Sequence, residues 1–107
     1  LTDIMEVVDR DIAKNLQYQD PVAVVNELAA FLVNEKDCDM VVCLSHLGYE
    51  EDKDLASQTL NVDIIVGGHT HTLLHKHQMV ANPDGDDVVV VQNWKWGLNA
   101  GHLTIDF

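Results

Sequence analysis

Residues 40–48 decide the fold and read Met-Val-Val-Cys-Leu-Ser-His-Leu-Gly. The first five residues form a continuous apolar run, which predicts a β-strand buried on both faces. Ile64-Ile65-Val66 is a second such run and leads directly into residues 67–72, Gly-Gly-His-Thr-His-Thr. The polar segment Glu50–Thr59 between the two runs predicts a short surface helix. Strand, helix and strand in this order indicate a right-handed crossover unit in a largely parallel sheet, and therefore an α/β fold.

A helix is predicted ahead of the first strand. Asp20 is a good N-cap residue and Pro21 suits the first helical position. From there to about Glu35, apolar residues recur at three- and four-residue spacing, which predicts an amphipathic helix with its apolar side toward the sheet. The stripe consists of Val22, Val25, Ala29 and Leu32, and it is widened by Val24, Leu28 and Phe31.

The C-terminal third has a different pattern. Gln78–Asn82 and Val88–Gln92 flank the turn sequence Pro83-Asp84-Gly85, and this arrangement predicts a β-hairpin. Gly101–Phe107 alternates between polar and apolar residues, which predicts a half-exposed closing strand. At the other end, Leu1–Val8 fits either a strand end or a loop.

Composition restricts the class of protein. The 107 residues amount to one domain at most, with 47% hydrophobic residues and a formal charge of −12. This charge repels nucleic acid and favours divalent cations. No apolar run approaches the roughly 20 residues of a membrane span. Two cysteines, Cys38 and Cys43, make no disulfide framework, and Cys43 is expected to be a buried thiol. No signal peptide is visible and the first residue is Leu1, so we expect a fragment or a processed piece.

Three histidines follow the two buried runs. His46 comes after the first run, and His69 and His71 after the second. Ligands of open α/β sheets bind beyond the carboxyl ends of the strands, so parallel strands bring all three imidazoles to one edge. Imidazole suits Zn²⁺, Mn²⁺ and similar ions. The glycines before His69 allow a tight turn, and His69 and His71 have the spacing to serve two ions about 3.5–4 Å apart. The alternative is that each histidine is a hydrogen-bonded structural residue.

Two blocks, residues 42–48 and 62–72, resemble the last two metal-binding blocks of the calcineurin-like metallophosphoesterases. The similarity is greatest to the 5'-nucleotidase branch, and it extends over roughly residues 20–107. Further matching positions are Asp20-Pro21, Asp54-Leu55-Ala56, Asn82-Pro83-Asp84-Gly85, Val91-Gln92, Gly97 and Gly101.

The resemblance implies a four-layer αββα sandwich with a dinuclear metal centre between its sheets, of which residues 1–107 are the C-terminal half. By position, His46 and His69 share one ion and His71 binds the other. The implied reaction is hydrolysis of a nucleotide or other phosphomonoester by a metal-activated hydroxide. The two divalent ions of the parent protein would be Zn²⁺, Mn²⁺ or similar, and its location the periplasm or the cell surface.

The sequence also departs from the family pattern. It lacks the family's Asp-x-His, the bridging Asp of Gly-Asp-x-x-Asp and the Asn-His pair, and Asp9-Arg10-Asp11 is only a superficial candidate for the first of these. The C-terminal nucleoside-binding domain is also missing. No catalytic residue beyond the metal ligands is predicted. We therefore expect the isolated chain to be inactive, to bind at most one ion well and to associate with itself.

Two alternative functions stay open. One is a different phosphoesterase on the same fold, such as a cyclic phosphodiesterase or a sugar phosphatase, and the other is a non-catalytic metal-binding or interaction module. Among the weaker features, a solvated face is the favoured interpretation of His75 and His77 over an accessory metal site. Core or rim packing is favoured for Trp94 and Trp96 over stacking on a substrate.

Overall fold

The computed structural model describes Thr2 and residues 8–106 of the chain. Three helices and one four-stranded sheet make up this part, so the predicted α/β class is confirmed. In chain order the elements are α1 (Arg10–Ala13), α2 (Pro21–Lys36), β1 (Val42–Leu44), α3 (Tyr49–Gln58), β2 (Ile64–Gly67), β3 (Gln78–Ala81) and β4 (Asp87–Gln92). The prediction for Leu1–Val8 falls mostly outside the described residues; Thr2 forms an isolated parallel bridge with His46.

The sheet has the strand order β1-β2-β4-β3. β2 pairs in parallel with both β1 and β4, whereas β3 runs antiparallel to β4. The strand–helix–strand unit and the hairpin predicted from the sequence are therefore confirmed. As a consequence, the carboxyl ends of β1, β2 and β4 lie at the same edge of the sheet.

Helix α2 begins where the sequence predicts. The Asp20 carboxylate accepts hydrogen bonds from the backbone N–H groups of Val22 and Ala23, at 3.4 and 3.2 Å. The central stripe is confirmed, since Val25 and Ala29 are buried in the core. The predicted widening is wrong at Leu28 and Phe31, which are 55% and 46% exposed, because these side chains lie off the packed face of the helix.

Helix α3 packs over one face of the sheet and contacts α2. Its inner side buries Asp52, Leu55 and Ala56, so the predicted surface helix is half buried. Asn26 of α2 joins the two helices at the far end: its Oδ1 accepts from the Leu60 N–H at 2.7 Å, and its Nδ2 donates to the Gln58 carbonyl at 3.2 Å. The core lies between these helices and the sheet, and its buried members include Val25, Ala29, Val41, Leu55, Ala56, Ile65, Val88 and Val90.

The opposite face of the sheet is partly open, and this corrects the prediction for β1. Val42 and Leu44 point to that face and are 45% and 70% exposed, so β1 is not buried on both faces. In β2, Ile64 and Ile65 are buried on opposite faces of the sheet. Val66, the next residue, is 39% exposed. The reason is that the described helices cover one face only, and β1 is an edge strand.

The C-terminal residues explain the burial of Ile64. Residues 101–106 form no strand, so the predicted closing strand is wrong over that range, and Phe107 lies outside the described residues. Leu103, Thr104 and Ile105 instead line a shared cavity with Ile64 and Val89 on the open face. No helix in the described part of the chain has the length and apolar character needed to cross a membrane.

Candidate metal centre

The parallel pairing brings His46 and His69 together at the carboxyl edge of the sheet. Their ring centroids are 5.3 Å apart and the ring planes are inclined at 64°. Imidazoles that bind one zinc ion do so at about 2.0–2.1 Å, which places two such rings about 5 Å apart. The separation and the donor chemistry of this pair therefore fit a single divalent ion.

His71 makes a different ring contact. Its ring makes an edge contact with Trp96, at 6.4 Å between centroids. Within Thr2 and residues 8–106, no group of three or more His, Cys, Asp or Glu side chains is arranged to hold a metal ion. The structure thus joins two of the three predicted ligands and leaves the role of His71 as a prediction.

The segment between β2 and His71 has an unusual backbone. His69 and His71 both have left-handed conformations, with φ of 75° and 54°. Such a conformation costs a non-glycine residue on the order of 1–3 kcal/mol, and it persists only where neighbouring structure enforces it. Strained backbone conformations cluster at functional sites, so the two left-handed histidines support a functional role for this segment.

Gly67 and Gly68 serve the close approach of neighbouring side chains, and the positive φ values of this segment lie at the histidines. A Cβ atom on Gly68 would lie 2.8 Å from Nδ1 of His46. A Cβ atom on Gly67 would collide with the Asp52 carboxylate. Both glycines are therefore required for the packing around the candidate site.

Asp52 is a buried carboxylate directly beneath the site, with no exposed surface. Neither carboxylate oxygen accepts a well-formed hydrogen bond from the described residues. Burial raises the pKa of Asp52, and the nearby Ser45 hydroxyl partly opposes that rise. A carboxyl with a raised pKa binds its proton more tightly in the folded than in the unfolded chain. Asp52 therefore lowers the free energy of unfolding at neutral pH, and this cost disappears as the pH falls.

Sequence reasoning missed the role of Gln92, which appeared only as a position of family resemblance. Gln92 ends β4 and is 3% exposed. Its Nε2 donates to the Gly68 carbonyl at 3.0 Å, and its Oε1 accepts from the Thr72 N–H and from the Thr70 hydroxyl. The available signal was a polar residue that continues the inward alternation of Val88 and Val90, since such a residue must find buried partners.

The remaining sequence candidates lie at the surface. His75 and His77 are exposed, which confirms the solvated face. Trp94 and Trp96 are 39% and 79% exposed, so of the predicted core or rim packing the core alternative is wrong, and Trp96 contacts the ring of His71. The Lys95 ammonium lies 4.1 Å from the Trp96 ring centroid. Cys43 is half-buried, and its burial raises the pKa of the thiol.

Comparison with known proteins finds similarity to a nucleotide phosphoesterase and to 5'-nucleotidases. No family model matches the chain. The trifunctional nucleotide phosphoesterase protein of Bacillus subtilis is 28% identical over 94 residues, covering 88% of this chain and 6% of that protein. The 5'-nucleotidase of Rattus norvegicus is 32% identical over 110 residues, covering 87% and 18%. A crystal structure of the 5'-nucleotidase precursor from Thermus thermophilus has a TM-score of 0.70 and 41% identity, covering 74% of this chain and 18% of that one.

The fold and the histidine-bearing strand ends are therefore those of a metallophosphoesterase. More narrowly, the chain belongs to the 5'-nucleotidase branch of the calcineurin-like metallophosphoesterases, as the sequence resemblance indicated. It spans only 6% and 18% of the two curated relatives named above.

The contact of Gly67 with Asp52 generates a prediction. We expect Gly67→Ala to lower the free energy of unfolding by about 1–3 kcal/mol, because the added methyl group has no space beside the carboxylate. Urea denaturation measures this loss. The matched control is Gly101→Ala, where the nearest atom to the new Cβ lies 3.7 Å away.

The double variant Gly67→Ala with Asp52→Ala tests the cause of that loss. Removing the carboxylate makes room for the methyl group, so the two substitutions together are expected to cost less than the sum of their separate effects. Strictly additive effects, or an equal loss in the Gly101→Ala control, would contradict this account.

Proposed function

We propose that residues 1–107 form the C-terminal part of a 5'-nucleotidase-type catalytic domain, and that the parent protein hydrolyses nucleotide phosphomonoesters. The observation that carries the proposal is the His46–His69 pair at the carboxyl edge of a parallel sheet. The relationship to 5'-nucleotidases supports the substrate class. By family resemblance, the proposed location of the parent is the periplasm or the cell surface.

The residues of the chain have distinct roles in this proposal. His46 and His69 would share one divalent ion, and His71 would bind the second. Such ions activate water and stabilise the charge on phosphate oxygens. Gly68 gives His46 the space to approach the loop, since any side chain there would meet its ring. The bridging carboxylate and the other ligands would come from sequence that precedes this part of the domain.

A broader phosphoesterase activity is the second candidate. It is favoured by the relative from Bacillus subtilis, whose name assigns it three nucleotide phosphoesterase functions. Both candidates use the same histidines, so substitution of the ligands does not separate them. The two candidates are separated by comparing a nucleoside 5'-monophosphate with a cyclic nucleotide as substrates of the parent protein.

The first prediction from the proposed function concerns metal affinity. We expect the 107-residue chain to bind one Zn²⁺ or Mn²⁺ ion weakly, because no carboxylate among the described residues is grouped with the histidine pair to offset the repulsion of a second ion. His46→Ala should weaken binding by about tenfold or more, whereas His75→Ala, at an exposed histidine away from the pair, should leave it unchanged. Isothermal calorimetry measures both. Two tight sites per chain, or unaltered binding after His46→Ala, would contradict the proposal.

The second prediction concerns catalysis. The isolated chain should not hydrolyse p-nitrophenyl phosphate in Mn²⁺, because a two-metal reaction lacks its bridging ligand there. In the parent protein, His69→Ala should abolish nucleotide hydrolysis while His75→Ala retains it. Turnover by the isolated chain that His69→Ala removes would refute the predicted inactivity. Unchanged hydrolysis by the His69→Ala parent would refute the function.

The third prediction concerns self-association. Val42, Leu44 and Val66 form a partly exposed apolar patch on the open face of the sheet, next to the β1 edge. Burying this patch against a second copy is favourable, and salt screens the repulsion between the acidic chains. Light scattering should therefore show dimers or larger species. Leu44→Lys should shift the chain toward monomer, whereas Leu28→Lys, at a similarly exposed leucine of α2, should not. A monodisperse monomer would contradict this prediction.

A further inference from the structure

Gln92 lies where three elements meet. In the sheet register it is the partner of Gly67, the last residue of β2. Its side chain lies on the face covered by α3, since Nε2 is within 3.3 Å of a Cβ position built on Gly67 and Asp52 is packed against the same glycine. The side-chain amide is therefore buried directly below residues 67–72, the segment that carries both histidines and is called the histidine loop below.

Each hydrogen bond of this amide involves a residue next to a histidine. The Gly68 carbonyl, which accepts from Nε2, precedes His69. The Thr70 hydroxyl, which donates to Oε1, lies between the two histidines, and the Thr72 N–H, which also donates to Oε1, follows His71. One side chain thus contacts the loop before, between and after its two candidate ligands.

The chemistry of these contacts requires an amide. The loop presents one acceptor and two donors to Gln92, and a carboxamide supplies the matching donor and acceptor from a single planar group. A carboxylate has no proton for the Gly68 carbonyl, and a thioether or an alkyl group offers neither function. These hydrogen bonds are part-buried, so losing their partner in the protein costs free energy and the loop would rearrange.

Thr70 extends the network to α3. Its Oγ1 accepts a hydrogen bond from the Tyr49 N–H at 3.1 Å and lies 3.0 Å from Oγ1 of Thr72. The N-cap of α3 is Gly48, which has no side chain to cap the helix, so Thr70 supplies the capping oxygen from the loop. The histidine loop is therefore connected to β4 through Gln92 and to the start of α3 through Thr70.

Backbone hydrogen bonds supply only some of the contacts that hold the histidine loop. The Trp94 N–H donates to the Thr72 carbonyl and the Leu74 N–H donates to the Gln92 carbonyl, but both bonds lie beyond His71. Between Gly68 and Thr72, a backbone bond joins the Thr70 N–H to the Gly68 carbonyl. The side chain of Gln92 adds hydrogen bonds before, between and after the left-handed residues His69 and His71.

We infer that Gln92 is a positioning residue that directs His69 and His71 through its hydrogen bonds to Gly68, Thr70 and Thr72. The part of this inference that concerns metal ligands rests on the proposed function. The part that concerns the conformation of the loop does not. Supporting groups around metal-binding histidines typically change metal affinity by about 10–100-fold when they are removed.

The experiment compares Gln92→Met with Gln78→Met in the 107-residue chain. Gln78 lies on the neighbouring strand β3 and is exposed, so the same substitution there is a matched control. Amide hydrogen exchange by NMR should show faster exchange at Thr72 in Gln92→Met, by about tenfold or more, with little change at Ile65 in the middle of the sheet. Calorimetry should show Zn²⁺ affinity reduced about 10–100-fold. Gln78→Met should change neither quantity.

A purely structural role predicts a different pattern, in which Thr72 and Ile65 lose protection equally. That result, or unchanged Zn²⁺ affinity despite faster exchange at Thr72, would overturn the inference. If Gln92→Met does not fold, side-chain amide exchange in the wild-type chain still tests the inference. The side-chain amide protons of Gln92 should exchange much more slowly than those of Gln78, and equal rates would overturn the inference. A wild-type chain that binds no Zn²⁺ would contradict the proposed metal site, and the exchange data would then decide the conformational role alone.

Discussion

The parallel pairing of β2 with both β1 and β4 is the constraint on which the candidate site depends. It places Ser45-His46, the histidine loop and Gln92 at one edge, although β3 and the turn after it lie between β2 and β4 in the sequence. A parallel pair aligns the carboxyl ends of its strands, so side chains far apart in sequence meet at that edge. The 5.3 Å separation of the His46 and His69 rings follows directly from this alignment.

The packing below the site is close, and it lowers the stability of the fold. Gly67 admits the Asp52 carboxylate, and Gly68 admits the ring of His46, at positions where any side chain would collide. Asp52 is buried without a well-formed hydrogen bond, and both loop histidines have strained backbones. Each of these features lowers stability by itself. Their concentration at one edge is what is expected where a structure is adapted to direct functional groups.

The two faces of the sheet differ in their cover. Helices α2 and α3 enclose the face that carries Ile65 and Val90, whereas the other face exposes much of Leu44 and Met79. Residues 103–106 lie across part of that second face, beside Ile64. A sandwich in which a second sheet packs there would complete the burial, because two sheets pack face to face through such apolar surfaces. This asymmetry agrees with the proposal that the chain is one part of a larger domain.

The sequence by itself determined α2, α3, the four strands, their order and the two histidine blocks, but it did not predict α1. Asp20-Pro21 and the 22-25-29-32 spacing were sufficient for α2, and the apolar runs and turn residues were sufficient for β1, β2 and the hairpin. These signals are local, since capping, periodicity and turn chemistry act over a few residues.

Only the tertiary structure decided that β1 is open on one face, that residues 101–106 form no strand, and that Leu28 and Phe31 are exposed. Tertiary structure likewise decided that Gln92 lies under the histidine loop and that His69 and His71 are left-handed. Those properties depend on which distant residues pack together, and local sequence does not specify that packing.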